Sequence, residues 1–497
     1  AAAGTPERLG YHGFNYFSKP SGHLDELQNW GTSPDGSGMP PASWNFINQR
    51  FTLQNRSDAT VSAPWTLLGT GTRLIVGDGS NGTTFNNTTF NLYLPALEIQ
   101  PGSTVVVNNG TTLTLPGTTT ADGNECLTLR NGAAFTNNGT TILNQNLVNE
   151  NFLPTGLGEG TIQLTGVVRQ RITGANLFHG LSVNNANGIS LEGNTRVEGL
   201  LWLWSGNIKL NGYRFTLGAE AAIAGAPSAS SMIVINPPEK VYKEFPPDFT
   251  GTVLFPLGDT LMTTDYSPVT LTFTQGLFDT GNEASVTVTN QSYPDPPVTG
   301  NFLNRYWNLE QTGISGFECN AQFSYVTGDI TGDEAAISCA RINPLPVVWY
   351  GKADTVEHRI HAEGLTSFST FTGLETPGIP EQLSVDGTLT GGEEQCYNAT
   401  QTITVAGNGA QYLVESGATA TLIAGENILI NDGTRVMEGG SFLARITATG
   451  NYCSELSRPM TAALNTDAAP GADKQKASLQ TGMPEKSSFF RIYPNPA

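Results

Sequence analysis

Positive charge is scarce in this 497-residue sequence: 24 Lys and Arg stand against 43 Asp and Glu, a formal net charge of −19. Nucleic acid is excluded as a partner, because its phosphates need a basic face. Simple electrostatic docking on an anionic membrane is excluded for the same reason. Long hydrophobic runs are missing, so nothing spans a bilayer as a helix. Histidine occurs five times, and its one close pair, His358 and His361, lies in a strand-like stretch that sends the two rings to opposite faces. The patterns His-Glu-x-x-His and Gly-x-Ser-x-Gly and the phosphate loop do not occur. The middle of the chain is poor in acids, and Glu192 with Glu198, or Arg169 with Arg171, form no convergent set of the kind polysaccharide cleavage needs.

What is present is glycine, at 57 positions, together with abundant Asn and Thr and only 13% charged residues. Few charges and many turn formers indicate an all-β protein. Residues 71–225 are repetitive. Leu113-Thr114-Leu115, Leu127-Thr128-Leu129, Ile162-Gln163-Leu164, Leu181-Ser182-Val183, Leu201-Trp202-Leu203 and Phe215-Thr216-Leu217 alternate apolar and polar side chains, so one face of each strand points inward. Asn-Gly pairs between them turn the chain sharply. The later triplets begin at 162, 181 and 201, about one coil of a solenoid apart. The expected fold is a right-handed parallel β-helix, with a run of hairpins as the alternative, since Asn-Gly also makes two-residue hairpin turns. Trp202 and Trp204 alternate with Leu201 and Leu203 and would face outward, forming a contact surface unless another domain covers them.

The flanking regions differ from the repeats. Residues 1–70 carry Tyr11, Phe14, Tyr16, Phe17, Trp30, Trp44, Phe46 and Trp65. They read as a cap over the first rung, or as a surface for sugar rings or a neighbouring subunit; Tyr11, Phe14, Tyr16 and Phe17 are the candidate contacts. Residues 226–378 hold short strand-like runs between prolines, as in an antiparallel, immunoglobulin-like sandwich. Residues 379–458 form a smaller Gly-rich β-module, and 459–488 an aperiodic linker. The five cysteines suggest two pairs, Cys319 with Cys339 and Cys396 with Cys453, and a leftover Cys126 in a strand pattern that reads as a buried, inert thiol. Disulfides imply an oxidising, extracellular compartment. A Cys396–Cys453 bridge would staple the small module, worth ~3 kcal/mol. The opening Ala1-Ala2-Ala3-Gly4 reads as an end left by cleavage at small residues. No cofactor is expected except calcium, for which Asp329, Asp333 and Glu334 are the candidate oxygen ligands; the alternative is a plain exposed turn. Asp259-Thr260-Leu261 and Asp354-Thr355-Val356 resemble the short acceptor motif for O-glycosylation in Bacteroidetes.

The last nine residues, Phe489-Phe490-Arg491-Ile492-Tyr493-Pro494-Asn495-Pro496-Ala497, resemble the opening of the C-terminal sorting domain of Bacteroidetes type IX secretion cargo, with Tyr493, Pro494, Asn495 and Pro496 as its sorting motif. Leu181 through Leu191, reading Leu-Ser-Val-Asn-Asn-Ala-Asn-Gly-Ile-Ser-Leu, resembles the strand repeats of cell-surface adhesins of that group. The stretch from Cys396 to Cys453 resembles a Gly-rich module that precedes such sorting domains. The resemblance implies export by the type IX machinery to the outer cell surface or the medium. With no catalytic constellation in the sequence, the expected function is a non-enzymatic structural or adhesive role, sharpened to a self-assembling filament subunit. The alternative is a β-helix that binds or degrades polysaccharide, with a glycan or other surface ligand as partner.

Overall fold

The computed structural model describes residues 13–87, 89–117, 125–294, 300–343, 347–376, 378–447 and 452–453. It is all β, and no described helix is long and apolar enough to cross a membrane. Parallel coils dominate. One wall starts at Asn15–Ser18, which pairs in parallel with Arg50–Leu53, and continues coil by coil to Leu257–Asp259. Its strands from residue 146 onward begin at 146, 170, 189, 208, 233 and 257.

Register explains why the stack holds. Tyr16, Phe51, Leu74, Leu97, Leu127, Leu147, Ile172 and Leu191 follow one another as direct partners along this wall. On a second wall the column runs Trp65, Leu92, Leu113, Thr141, Ile162, Leu181, Leu201, Ile223. A slip of one residue would turn each column outward, so period-2 patterning fixes the register. The hairpin alternative fails here, because the Asn-Gly sites are corners between parallel strands. Gly188 sits at φ +74°, and a Cβ there would meet the Asn207 carbonyl oxygen of the next coil at 2.5 Å. Buried asparagines satisfy corner backbone: Asn137 Nδ2 donates to Thr161 O (3.0 Å), Asn185 Nδ2 to Val168 O (2.7 Å).

Both ends of this solenoid are closed. At the first coils Tyr16, Trp30, Trp44, Phe51, Trp65 and Phe85 pack ring against ring; Trp30 and Trp65 are 0% and 1% exposed. Trp30 Nε1 donates to Leu24 O at 2.8 Å, which pins the covering loop. At the far end the second wall becomes antiparallel. Val241–Lys243 pairs in parallel with Phe215–Leu217 and antiparallel with Val269–Thr289, which in turn pairs with Phe302–Ser324. Register shifts between Phe273 and Glu283 interrupt these two long strands. Phe302–Ser324 also pairs with Arg359–Leu365 and Thr370–Glu375, and Ile337–Asn343 lies beyond the latter, giving the sandwich-like part. One hydrophobic core runs unbroken from Tyr16 to Phe371.

Residues from Gln382 to Ile446 make a second, smaller parallel solenoid with its own core. Each of its three coils contributes one strand to each of three sheets; the third sheet stacks Glu394–Ala399, Thr419–Ala424 and Ser441–Ile446. The Cys396–Cys453 disulfide is present.

The other expected disulfide is not. Cys319 and Cys339 are free, and the reason is topological. Cys319 stands between Phe273 and Leu365, whereas Cys339 stands opposite Gly373 of Thr370–Glu375, which pairs with Phe302–Ser324 only over residues 302–308; the two thiols therefore sit among different strand neighbours. Burial pushes the thiols of Cys126 and Cys319 up to about 12, and that of Cys339 in the same direction.

Candidate functional site

The residues expected to act separate into three groups. Tyr11, the linker and the sorting motif Tyr493, Pro494, Asn495 and Pro496 lie outside the described residues. Among the N-terminal aromatics, Phe14 is 62% exposed and Phe17 half-buried, whereas Tyr16 is buried and stacks on Phe51 at 5.3 Å. Tyr16 is therefore part of the aromatic plug and not a contact residue. Trp202 and Trp204 project from strand Thr195–Ser205 opposite the fully buried Leu201 and Leu203; Trp202 is half-buried and Trp204 is 57% exposed.

The calcium ligands do not converge. Asp329 is buried against Arg305, Asp333 accepts the Ala335 backbone N–H at 3.0 Å, and Glu334 accepts from the Tyr325 hydroxyl at 2.6 Å and meets His358 Nδ1 at 2.8 Å. Each carboxylate is already held by a different partner, and no group of three or more potential ligands gathers among the described residues.

Sequence reasoning missed a buried cluster of charged side chains among the described residues. Arg305, 0% exposed, is ringed by three carboxylates. Its Nε donates to Asp329 (2.6 Å), one terminal nitrogen to Asp259 (2.6 Å), and the other to Asp265 (3.1 Å) and Asp329 (3.1 Å). Asn290 donates to Asp259 and Asp265, and the Thr263 hydroxyl to Asp265. Burial pushes the Asp329 carboxyl above its ordinary range, against the pull of Arg305. Asp259 and Asp265 flank the last turn of the solenoid wall, while Arg305 belongs to the sandwich strand Phe302–Ser324. The cluster is a joint between the two parts. Asp259 also belongs to one of the two glycosylation-like triplets. No local spacing announces such a joint, since its partners are 24 to 46 residues apart.

A polar cleft of about 290 Å³ lies at a corner of the first coils, lined by Gln54, Asn55, Arg56, Asp78, Asn81 and Thr83 among others. Its polar groups are mostly engaged with the backbone. Arg56 donates to the carbonyls of Lys19 and Gly22, and Asn55 to those of Ser18 and Pro34. Asp78 accepts the backbone N–H groups of Asn81 and Ser80, which hold its carboxyl below the usual range. The arrangement offers amides and hydroxyls to a ligand and no paired acid and base. The chain matches no family model, no curated protein and no solved structure.

Proposed function

We propose that this chain is a secreted, non-enzymatic structural or adhesive protein of the outer cell surface, exported by type IX secretion and assembled into extracellular filaments. The observation that carries the reading is the continuous column of apolar side chains, aromatic at its start and aliphatic beyond, that the parallel coils bury from Tyr16 to Leu257. Such a column builds a stiff body whose surface is repeated polar strand faces, suited to many weak contacts. The terminal Tyr493-Pro494-Asn495-Pro496 sequence and the Cys396–Cys453 disulfide support an oxidising, external destination. Head-to-tail contact between copies that does not close on itself would give a fibre.

Electron microscopy of cells with and without the chain tests this reading. Filaments or surface layers lost on deletion are expected, and export should fail when Tyr493 and Asn495 are both replaced by Ala. Monomers at every concentration, with unchanged cell surfaces, would remove the filament assignment.

Exposed Trp204 and the amide-lined cleft favour a second reading, a polysaccharide-binding protein, with cleavage left to the test below. A glycan array with a reducing-sugar assay separates the two: binding alone is compatible with adhesion, and turnover contradicts it.

A further inference from the structure

The two walls of the large solenoid treat charge differently. From Arg50–Leu53 to Ile208–Lys209 the first wall carries a charged residue in seven of its eight strands, and Arg73, Glu98, Arg130 and Glu150 pair along it. Between its Leu92–Tyr93 and Ala222–Gly225 strands the second wall carries none. Thr112–Leu115, Thr140–Leu143, Thr161–Leu164 and residues 180–183 and 200–203 of two longer strands hold no acid, base or histidine. In those longer strands Arg196 precedes, and His179 and Glu198 fall within, a register shift that bends the chain before this wall begins.

One outward row of the wall reads Tyr93, Thr114, Ile142, Gln163, Ser182 and Trp202, each the direct partner of the next. Five strand spacings, about 24 Å, separate its two aromatic rings. Tyr93 is 37% exposed. Trp202 stands between Ser182 and Ala224, both small, so no tall neighbour in the row walls in its indole. Trp204 follows at a second register shift, opposite no residue of the preceding strand, and the next strand ends at Gly225, opposite Leu203. A bulge of this kind re-aims a side chain, and the Trp204 ring is 57% exposed.

We propose that this uncharged ribbon binds a neutral polysaccharide, laid in extended form along the stack, with Tyr93 at one end and Trp202 with Trp204 at the other as its aromatic holds. The proposal rests on the polysaccharide-binding reading above and names its surface and its ligand. Aromatic rings cover the apolar faces of sugars, and the Thr, Ser and Gln groups between them donate to and accept from sugar hydroxyls. At a formal net charge of −19 the chain repels a polyanion, and the ribbon offers no base to hold one. A second copy of the chain fits less well. Six strand spacings by four residues give the ribbon about 380 Å², roughly half of the ~800 Å² that a stable protein interface covers on each partner. Two copies of like charge also repel each other. A neutral glycan chain is narrow and meets neither obstacle.

Calorimetric titration of the full chain with cellohexaose, maltohexaose and mannohexaose, chosen after a neutral-glycan array, tests the proposal. A neutral hexasaccharide should bind, its disaccharide about tenfold more weakly, and hexagalacturonate not at all. Trp204→Ala should weaken the hexasaccharide about tenfold and Tyr93→Ala about threefold. Unchanged hydrogen exchange across 92–225 is the folding control for both variants. A disaccharide that binds as tightly as the hexasaccharide, together with full affinity in Tyr93→Ala, overturns the extended ribbon and leaves polysaccharide binding standing. So does an affinity lost in Asn81→Ala, in the polar cleft, and kept in Trp204→Ala. No binding to any neutral glycan removes both. Sedimentation that rises with concentration and reverts in Tyr93→Ala gives the ribbon to a second copy and overturns the proposal as well.

Discussion

The two solenoids solve the same problem at different scales. The large one buries its terminal coils within its described residues: six aromatic rings fill the first coils, and an antiparallel sandwich continues the wall at the other end. The small one has three coils, a separate core and a disulfide, and its last coil leaves inward-facing Ile430 and Ile446 roughly half exposed. Parallel coils are stable only as neighbours, so what differs between the two is how the end is treated. Closure by packing needs many residues. Three coils have few residues to spare for this, and the small solenoid carries a covalent staple that the large one lacks among the described residues.

Substitution at equivalent inward positions breaks the comparison most sharply. Trp65→Ala, in the plug of the large solenoid, should cost about 4 kcal/mol, because it removes a fully buried indole and leaves a cavity. Phe442→Ala, inward but half-buried on the last small coil, should cost only about 1 kcal/mol. Chemical denaturation followed separately in the two cores by hydrogen exchange measures both. Equal costs would mean that the last small coil is as well covered as the plug. At the other end of the large solenoid, Arg305→Met leaves Asp259, Asp265 and Asp329 buried without their counter-charge. A loss of 3–5 kcal/mol is the ordinary scale for such a break. Exchange should accelerate around 257–266 and 302–331, while 382–446 stays unchanged.

The coils were legible in the sequence because their cause is local. Leu181-Ser182-Val183 and Leu201-Trp202-Leu203 show alternation within three residues, and the fold stacks them in register as Leu181 on Leu201 and Val183 on Leu203. The small solenoid was harder to read, since Thr402-Ile403-Thr404-Val405 alternates in the same way but its neighbours are broken by glycines. Features that depend on which strand lies beside which were not legible. Counting cysteines paired Cys319 with Cys339, yet they are free and have different strand neighbours, Phe273 and Leu365 for one and Gly373 for the other. Acid spacing made Asp329 a cation ligand, yet its partner is Arg305, 24 residues upstream. Tyr16 looked like surface because aromatics in a turn-rich segment carry no sign of which side they face; its stacking on Phe51 decides that.

The disulfide sharpens the comparison from the small side. Replacing Cys396 and Cys453 by Ser opens a loop of 57 residues, which loop-closure entropy values at about 3–4 kcal/mol. The loss should be confined to 382–446, with the midpoint of the large core unmoved. If both cores lose stability together, they fold as one cooperative unit and the contrast between them fails.

A pH-dependent test of the comparison lies at the seam between solenoid and sandwich. Lys243 is buried, and its Nζ donates to the carbonyls of Gly218 (2.5 Å) and Ala219 (2.8 Å). Burial pulls its ammonium down to about 8, while Glu220, Glu244 and Glu198 resist and Arg196 assists. In the unfolded chain the group titrates near its ordinary value, so between pH 8 and about 10.4 the unfolded state binds the extra proton. Stability contributed by this residue must therefore rise with pH across that window, by about 3 kcal/mol in all, and be flat below it. Lys243→Met removes the titration and leaves two carbonyls without a donor, so its absolute stability is a poor readout. The pH slope of the difference between native and variant isolates the lysine: a positive slope above pH 8 is expected. A flat difference would mean that the seam admits water to Lys243, making this end of the large solenoid more open than its aromatic end.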